Sequence, residues 1–241
     1  MAFPSLTALA KPRAFQRVSN IVRPLAATAS FIAFLFGLWY ALVYSPPDYQ
    51  QGEAVRIMYV HVPAAWMAMA IYGAMAVSAL VGFVWRHPLA DLFTKAAAPI
   101  GAVFTAICLI TGSLWGQPMW GTWWVWDARL TSVLVLFFLY IGYIELTRAF
   151  DDPAKGLRAG SILVMIGAVN LPIIKFSVDW WNTLHQSESI LRLDGPAMPM
   201  EMLRPLFLMA FAYLTLFVAL VLMRMETELL ARRIRQKRMT L

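Results

Sequence analysis

HVPAAWMAMAIYGAMAVSALVGFVW, residues 61–85, decides what kind of fold this chain can adopt. It is an apolar run long enough to carry an α-helix across a bilayer, which takes about 20 residues. Five further runs of similar character occur at 25–44, 96–114, 128–148, 160–178 and 203–223. Composition agrees: 61% of the 241 residues are hydrophobic and 14% charged, with a mean hydropathy of +0.65. A domain with a mostly polar, water-facing surface does not have that balance. The chain reads as an all-α integral membrane protein, one domain over 1–241, with six transmembrane helices.

An even number of spans puts both termini on one side, and the basic residues say which. Lys11, Arg13, Arg17 and Arg23 precede the first run; Arg86 and Lys95 follow the second; Arg148, Lys155 and Arg158 follow the fourth; Arg224, Arg232, Arg233, Arg235, Lys237 and Arg238 follow the sixth. Fifteen of the 20 Lys and Arg residues thus share one face, so both termini are expected on the cytoplasmic side of the membrane. The net charge of +7 then reports topology and contact with membrane lipid, with no nucleic acid as partner. The first apolar run exceeds a signal-peptide core, which favours a retained helix. Cys108 is the only cysteine, so no internal disulfide or paired-thiol site can form.

Three loops then face outward, 45–60, 115–127 and 179–202. The middle one opens the stretch WGQPMWGTWWVWDARLT, residues 115–131, which holds Trp115, Trp120, Trp123, Trp124 and Trp126, five of the ten tryptophans, and the charged pair Asp127 and Arg129. Gly116, Pro118 and Gly121 are expected to break the helix here and spread the indoles over a loop or partly helical shelf. In the first loop, Val55, Met58, Tyr59 and Val62 recur at helical spacing, which predicts a short amphipathic helix on the outer face before Pro63 starts the second span.

The three histidines sort by topology. His61 and His185 face outward on either side of the tryptophan segment, while His87 lies at the inner boundary. Neutral imidazole ligates heme iron, and a macrocycle also needs apolar contact over its faces and cations for its propionates. Arg56, Arg129 and Arg192 are outward cations, and Lys175 can reach the same region by extending its side chain. The chain has no CxxCH motif to hold heme covalently.

Plainer roles suit other residues. Trp39, Trp66 and Trp85 read as interfacial anchors, His87 as a surface residue, and Glu145 with Arg148 as a local ion pair. Asp127 and Arg129 either pair with each other or touch the ligand. Met198, Met200, Met202 and Met209 read as ordinary packing. Asn170 and Pro172 predict a kink in the fifth span whose freed backbone groups need partners.

The stretch at 115–131 resembles the tryptophan-rich "WWD" signature of heme-handling proteins. HVPAAW at 61–66 and SVDWWNTLHQ at 177–186 resemble the flanking segments of the CcmC-type cytochrome c maturation proteins. The likeness runs from about Gln51 to His185. It implies six spans, a WWD segment at 115–127 on the periplasmic face, and heme b held there non-covalently, in transit. It further implies His61 and His185 as axial iron ligands, and transfer of the heme to a periplasmic heme chaperone of the CcmE type during c-type cytochrome biogenesis. The partners it implies are CcmE, the small membrane protein CcmD and the ABC pair CcmA and CcmB. On the joined reading the five tryptophans form an apolar platform, with Asp127 beside them and Arg129 or Arg56 at the propionates. Covalent attachment happens on the chaperone, so a positioning role is expected rather than an enzyme's.

Two other readings remain. A heme ligase acting directly on apocytochrome c would resemble larger relatives with extra histidines inside their spans, whereas the span interiors here lack one. A permease subunit of an ABC-type heme exporter would need its energy from another polypeptide, because no Walker A pattern is present.

Overall fold

The computed structural model describes residues 12–185, 195 and 197–239; Arg192 lies outside the described residues. Helix α1, Pro12–Trp39, ends in a π-helical turn, Tyr40–Tyr44, and a 3-10 turn, Glu53–Ile57, leads into α2, Met58–Trp85. The rest are α3, Pro88–Trp120; α4, Ala128–Arg148; α5, Pro153–Gly167; α6, Asn170–Trp180; and α7, Met200–Met239. They make 6 helical units long and apolar enough to cross a membrane, α5 and α6 together forming one. No strand occurs among the described residues, where Asp48 and Gly52 make one isolated bridge.

Local chemistry sets the helix starts. Pro88 and Pro153 stand in the first turns of α3 and α5, where a missing N–H costs nothing. Asp152 caps α5 by accepting from the Ala154 N–H at 2.9 Å. In the bundle α1 lies along α7 and α2 along α3, while α4 packs on α3, α5 and α6. The Tyr140 hydroxyl of α4 donates to the Ala68 carbonyl of α2 at 2.8 Å, deep in the core. Its ring crosses α3 directly over Gly101, where a Cβ would overlap it. Side chains such as Phe31, Ile110, Phe138 and Phe211 point outward, an apolar exterior suited to lipid.

One end of the bundle is tied by charge. Arg23 meets Glu226 at 2.5 Å, Lys95 meets Glu228 at 2.7 Å, and Arg224 donates to the Ala96 carbonyl at 3.0 Å. These contacts bring the start of α1, the start of α3 and the late part of α7 to the same end. Glu145 and Arg148 pair there at 3.1 Å. The opposite end carries the tryptophan segment at 115–126.

Two local expectations change, and a third, the kink in the fifth span, is met. Helix α3 runs through Gly116 and Pro118 to Trp120, and Gly121 stops it: its φ of 73° is the left-handed conformation, and its N–H closes on the Gln117 carbonyl at 3.0 Å. Pro118 falls so near the end that few backbone bonds depend on it. The segment before Pro63 does not lie on the membrane surface. Its 3-10 turn is continuous with α2, Pro63 falls inside that helix, and Val55, Met58 and Tyr59 are buried in the core. Arg56 pulls it there by donating to the Ala41 carbonyl at 2.5 Å, and the Ser45 and Tyr59 hydroxyls bond each other. The kink expected in the fifth span falls between α5 and α6, where Ala168 and Val169 keep right-handed helical dihedrals, and the Asn170 amide donates to the Ser132 carbonyl of α4 at 2.8 Å.

Replacing Gly101 by Ala forces α3 away from the Tyr140 ring and should destabilise the bundle by roughly 1–3 kcal/mol. Gly142→Ala meets Leu163 only at ordinary contact distance, 3.5 Å, and is the matched control. Thermal unfolding of the two detergent-solubilised variants should show a lower Tm for the first alone.

Candidate functional site

The tryptophan end encloses a cavity of about 830 Å³, bounded by α2, α3, α4, α6 and the segment leading into α7. Its size is that of a site for a large organic ligand. His61 enters from the first turn of α2 and His185 from the segment after α6. Trp115, Trp120 and Trp124 supply indole walls, and Arg129 and Lys175 supply cationic groups.

His61 is held from behind by hydrogen bonds, and His185 has a carboxylate behind it. The Nδ1 of His61 lies 3.1 Å from the Cys108 carbonyl and 3.1 Å from the Thr111 hydroxyl oxygen. A carbonyl can only accept, and the Thr111 hydroxyl spends its own proton on the Ile107 carbonyl at 2.6 Å. Nδ1 must therefore carry the hydrogen, which leaves Nε2 with its lone pair free. The Trp115 ring stands edge-on to His61, centroids 5.6 Å apart, and Gly112 leaves room for the imidazole beside α3. Trp115 is itself fixed through its Nε1, which donates to Gln51 at 2.9 Å.

His185 has a matching arrangement with a different partner. Trp120 stands edge-on at 5.0 Å, and Nδ1 lies 3.7 Å from Oδ2 of Asp127. Burial pushes this imidazole below the ordinary histidine range, against the opposing pull of the Asp127 carboxylate. The ring is thereby kept neutral near pH 7, the form that binds metals. Asp127 is rigid because its other oxygen caps α4, accepting from the Leu130 N–H at 2.7 Å.

Arg129 reaches across to α6, donating to the Ser177 hydroxyl at 3.0 Å and the Lys175 carbonyl at 3.2 Å. The pair at 127 and 129 thus has two separate jobs: the carboxylate serves α4 and His185, and the guanidinium ties α4 to α6. Trp124 Nε1 is buried with no hydrogen-bond partner among the described residues, a donor suited to an anionic or carbonyl oxygen of a ligand.

The remaining candidates do not gather at the cavity. Trp123 and Trp126 are 58% and 77% exposed and do not line it, although Trp126 touches Trp124 with centroids 5.6 Å apart. Arg56 also lies off the lining, engaged with Ala41 and Glu53. In the other direction, Trp66 lines the cavity and packs against Phe207 at 6.4 Å, where an interfacial anchor was expected. Met198 and Met202 line it too, while Met209 is buried in the core. Thr111 and the Cys108 carbonyl carried no signal in the sequence, because their role depends on α3 passing behind the first turn of α2.

Fold and cavity define a multi-pass helical membrane protein with a ligand cavity at one end of its bundle. The family model described as "Heme exporter protein C" matches residues 5–240. The chain is 53% identical to heme exporter protein C of Bradyrhizobium diazoefficiens over 235 residues, 98% of this chain and 89% of that protein. It is 51% identical to heme exporter protein C of Escherichia coli K12 over 227 residues, 94% of this chain and 91% of that one. A putative cytochrome c biosynthesis ccmC-like mitochondrial protein of Marchantia polymorpha is 52% identical over 186 residues, covering 76% of this chain and 77% of its own. The chain belongs to the heme exporter protein C family.

Replacing Asp127 by Ala removes the α4 cap and should cost about 0.5–2 kcal/mol, whereas Asn, itself a good cap, should cost little. Thermal unfolding of the ligand-free variants measures the difference.

Proposed function

We propose that this protein binds heme b non-covalently at the periplasmic end of its bundle and passes it to a periplasmic heme chaperone of the CcmE type during c-type cytochrome maturation. The observation that carries the reading is the pair of imidazoles on one indole-walled cavity, each with Nδ1 turned away toward an acceptor. Heme iron takes histidine nitrogens as axial ligands, and a bound macrocycle needs flat apolar walls. The donor set fits that group: two nitrogen ligands, three indoles, and Arg129 and Lys175 as cations for the carboxylates.

His61 and His185 hold the iron on this reading, and Trp115, Trp120 and Trp124 hold the ring. Trp123 and Trp126, exposed beside the mouth, serve as a platform for the incoming chaperone. Arg129 is favoured over Arg56 at the propionates, since Arg129 lines the cavity and Arg56 does not. The chain positions reactants by proximity and orientation, and the covalent bond belongs to the chaperone. The basic end faces the cytoplasm of the bacterial inner membrane and the tryptophan end the periplasm. CcmD, CcmA and CcmB are the proposed neighbours in the membrane.

Purified wild type should carry heme, and the His61→Ala, His185→Ala double variant should lose it while still inserting in the membrane. Normal heme content in the double variant would sink the proposal. Among the tryptophans, Trp124→Ala should lower retained heme more than Trp126→Ala, and Trp126→Ala should weaken co-purification of the chaperone more. Heme content and chaperone pull-down read these separately.

A further inference from the structure

We propose that the two cavity imidazoles are unequal ligands, with Asp127 the positioning residue that makes His185 the stronger one and Thr111 the positioning residue of a weaker His61. The inference rests on the reading that both rings meet heme iron.

The difference lies in what stands behind each ring. His61 gives its Nδ1 hydrogen to neutral acceptors, the Cys108 carbonyl and the Thr111 hydroxyl, both at 3.1 Å. Losing one leaves the other in place. His185 faces a carboxylate oxygen, Asp127 Oδ2, at 3.7 Å. Both of those atoms are buried, and neither has a hydrogen-bond partner among the described residues. Each is the group available to satisfy the other, and a shift of several tenths of an ångström closes the bond. The carboxylate cannot retreat, because its Oδ1 is fixed on the Leu130 N–H and the cap has set backbone dihedrals of −88° and 170°. The imidazole therefore moves to Asp127, on the irregular segment 181–185 that follows α6.

An acceptor on the far nitrogen of a ligating histidine fixes its tautomer and raises its basicity, and a charged acceptor does so more than a neutral one. His185 accordingly donates more electron density to a bound metal than His61 does. For a protein that must give its ligand away, the consequence is an order of release. The bond to His61 would yield first, and His185 would be the residue that still holds the ligand. The two positioning groups also differ in sequence logic: Asp127 sits in the tryptophan segment itself, while Thr111 sits inside the third span, one turn past Cys108.

The full-length protein is purified with heme as wild type, Asp127→Asn, Asp127→Glu and Thr111→Val. Absorption spectra establish ligation, heme loss to excess apomyoglobin gives relative affinity, and redox titration gives the midpoint potential. Asp127→Asn keeps the cap but removes the charge, and should weaken affinity about 10- to 100-fold and raise the midpoint potential. Asp127→Glu should recover part of the potential shift, and Thr111→Val should change both readings far less. Equal shifts for Asp127→Asn and Thr111→Val, or no shift in potential for Asp127→Asn, would overturn the inference with the bis-imidazole site intact. A wild type whose spectrum lacks six-coordinate heme removes the reading beneath it, and the inference falls with it.

Discussion

Inside a bilayer a backbone amide has no water to bond, so a chain that crosses one must satisfy its N–H and C=O groups within helices. Everything else in this structure follows from how that requirement is met and where it relaxes. Helices α2, α3 and α7 run unbroken through the apolar layer. The irregular backbone at 121–127 and 181–185 falls at the tryptophan end. There the side chains that carry chemistry gather around one cavity. The exception is equally informative: the fifth span kinks between α5 and α6, and the Asn170 amide at the kink bonds the Ser132 carbonyl.

The cavity owes its form to helix ends. His61 stands in the first turn of α2, Trp115 and Trp120 in the last turns of α3, and Asp127 at the cap of α4. Helix ends are rigid where loops are not, so the imidazole of His61, the indoles and the carboxylate are placed by the packing of the bundle itself. The cavity side of α6 is held by Arg129 through Ser177 and the Lys175 carbonyl. Trp124 and His185 come from segments outside the helices, and Trp120 and Asp127 orient the imidazole.

Hydrophobic run length made the six spans legible, because the signal is summed over some 20 residues and needs no knowledge of contacts. The histidines and tryptophans of the site were legible as residue types crowded on one side of the bundle. Their partition was not. Trp124 lines the cavity while Trp123 and Trp126 turn away, and the side each indole takes in that non-helical stretch depends on tertiary packing. Gly116 and Pro118 looked like breakers, yet α3 passes both, since local propensity yields to a helix already anchored over most of its length. Arg56 leaves the site and Thr111 joins it for a similar reason. The first is drawn off by the Ala41 carbonyl, and the second is brought behind His61 by the pairing of α2 with α3.

The central claim is that two imidazoles of this chain, and no other side chains, take the axial positions on one iron. Protein labelled with ¹⁵N-histidine contains only three labelled residues, and in a His87→Gln background only His61 and His185 remain. Electron–nuclear double resonance on the ferric, heme-loaded form should then show a low-spin centre coupled to two labelled imidazole nitrogens. Coupling to one nitrogen or to none would contradict the account, and would place the iron on some other ligand of the cavity.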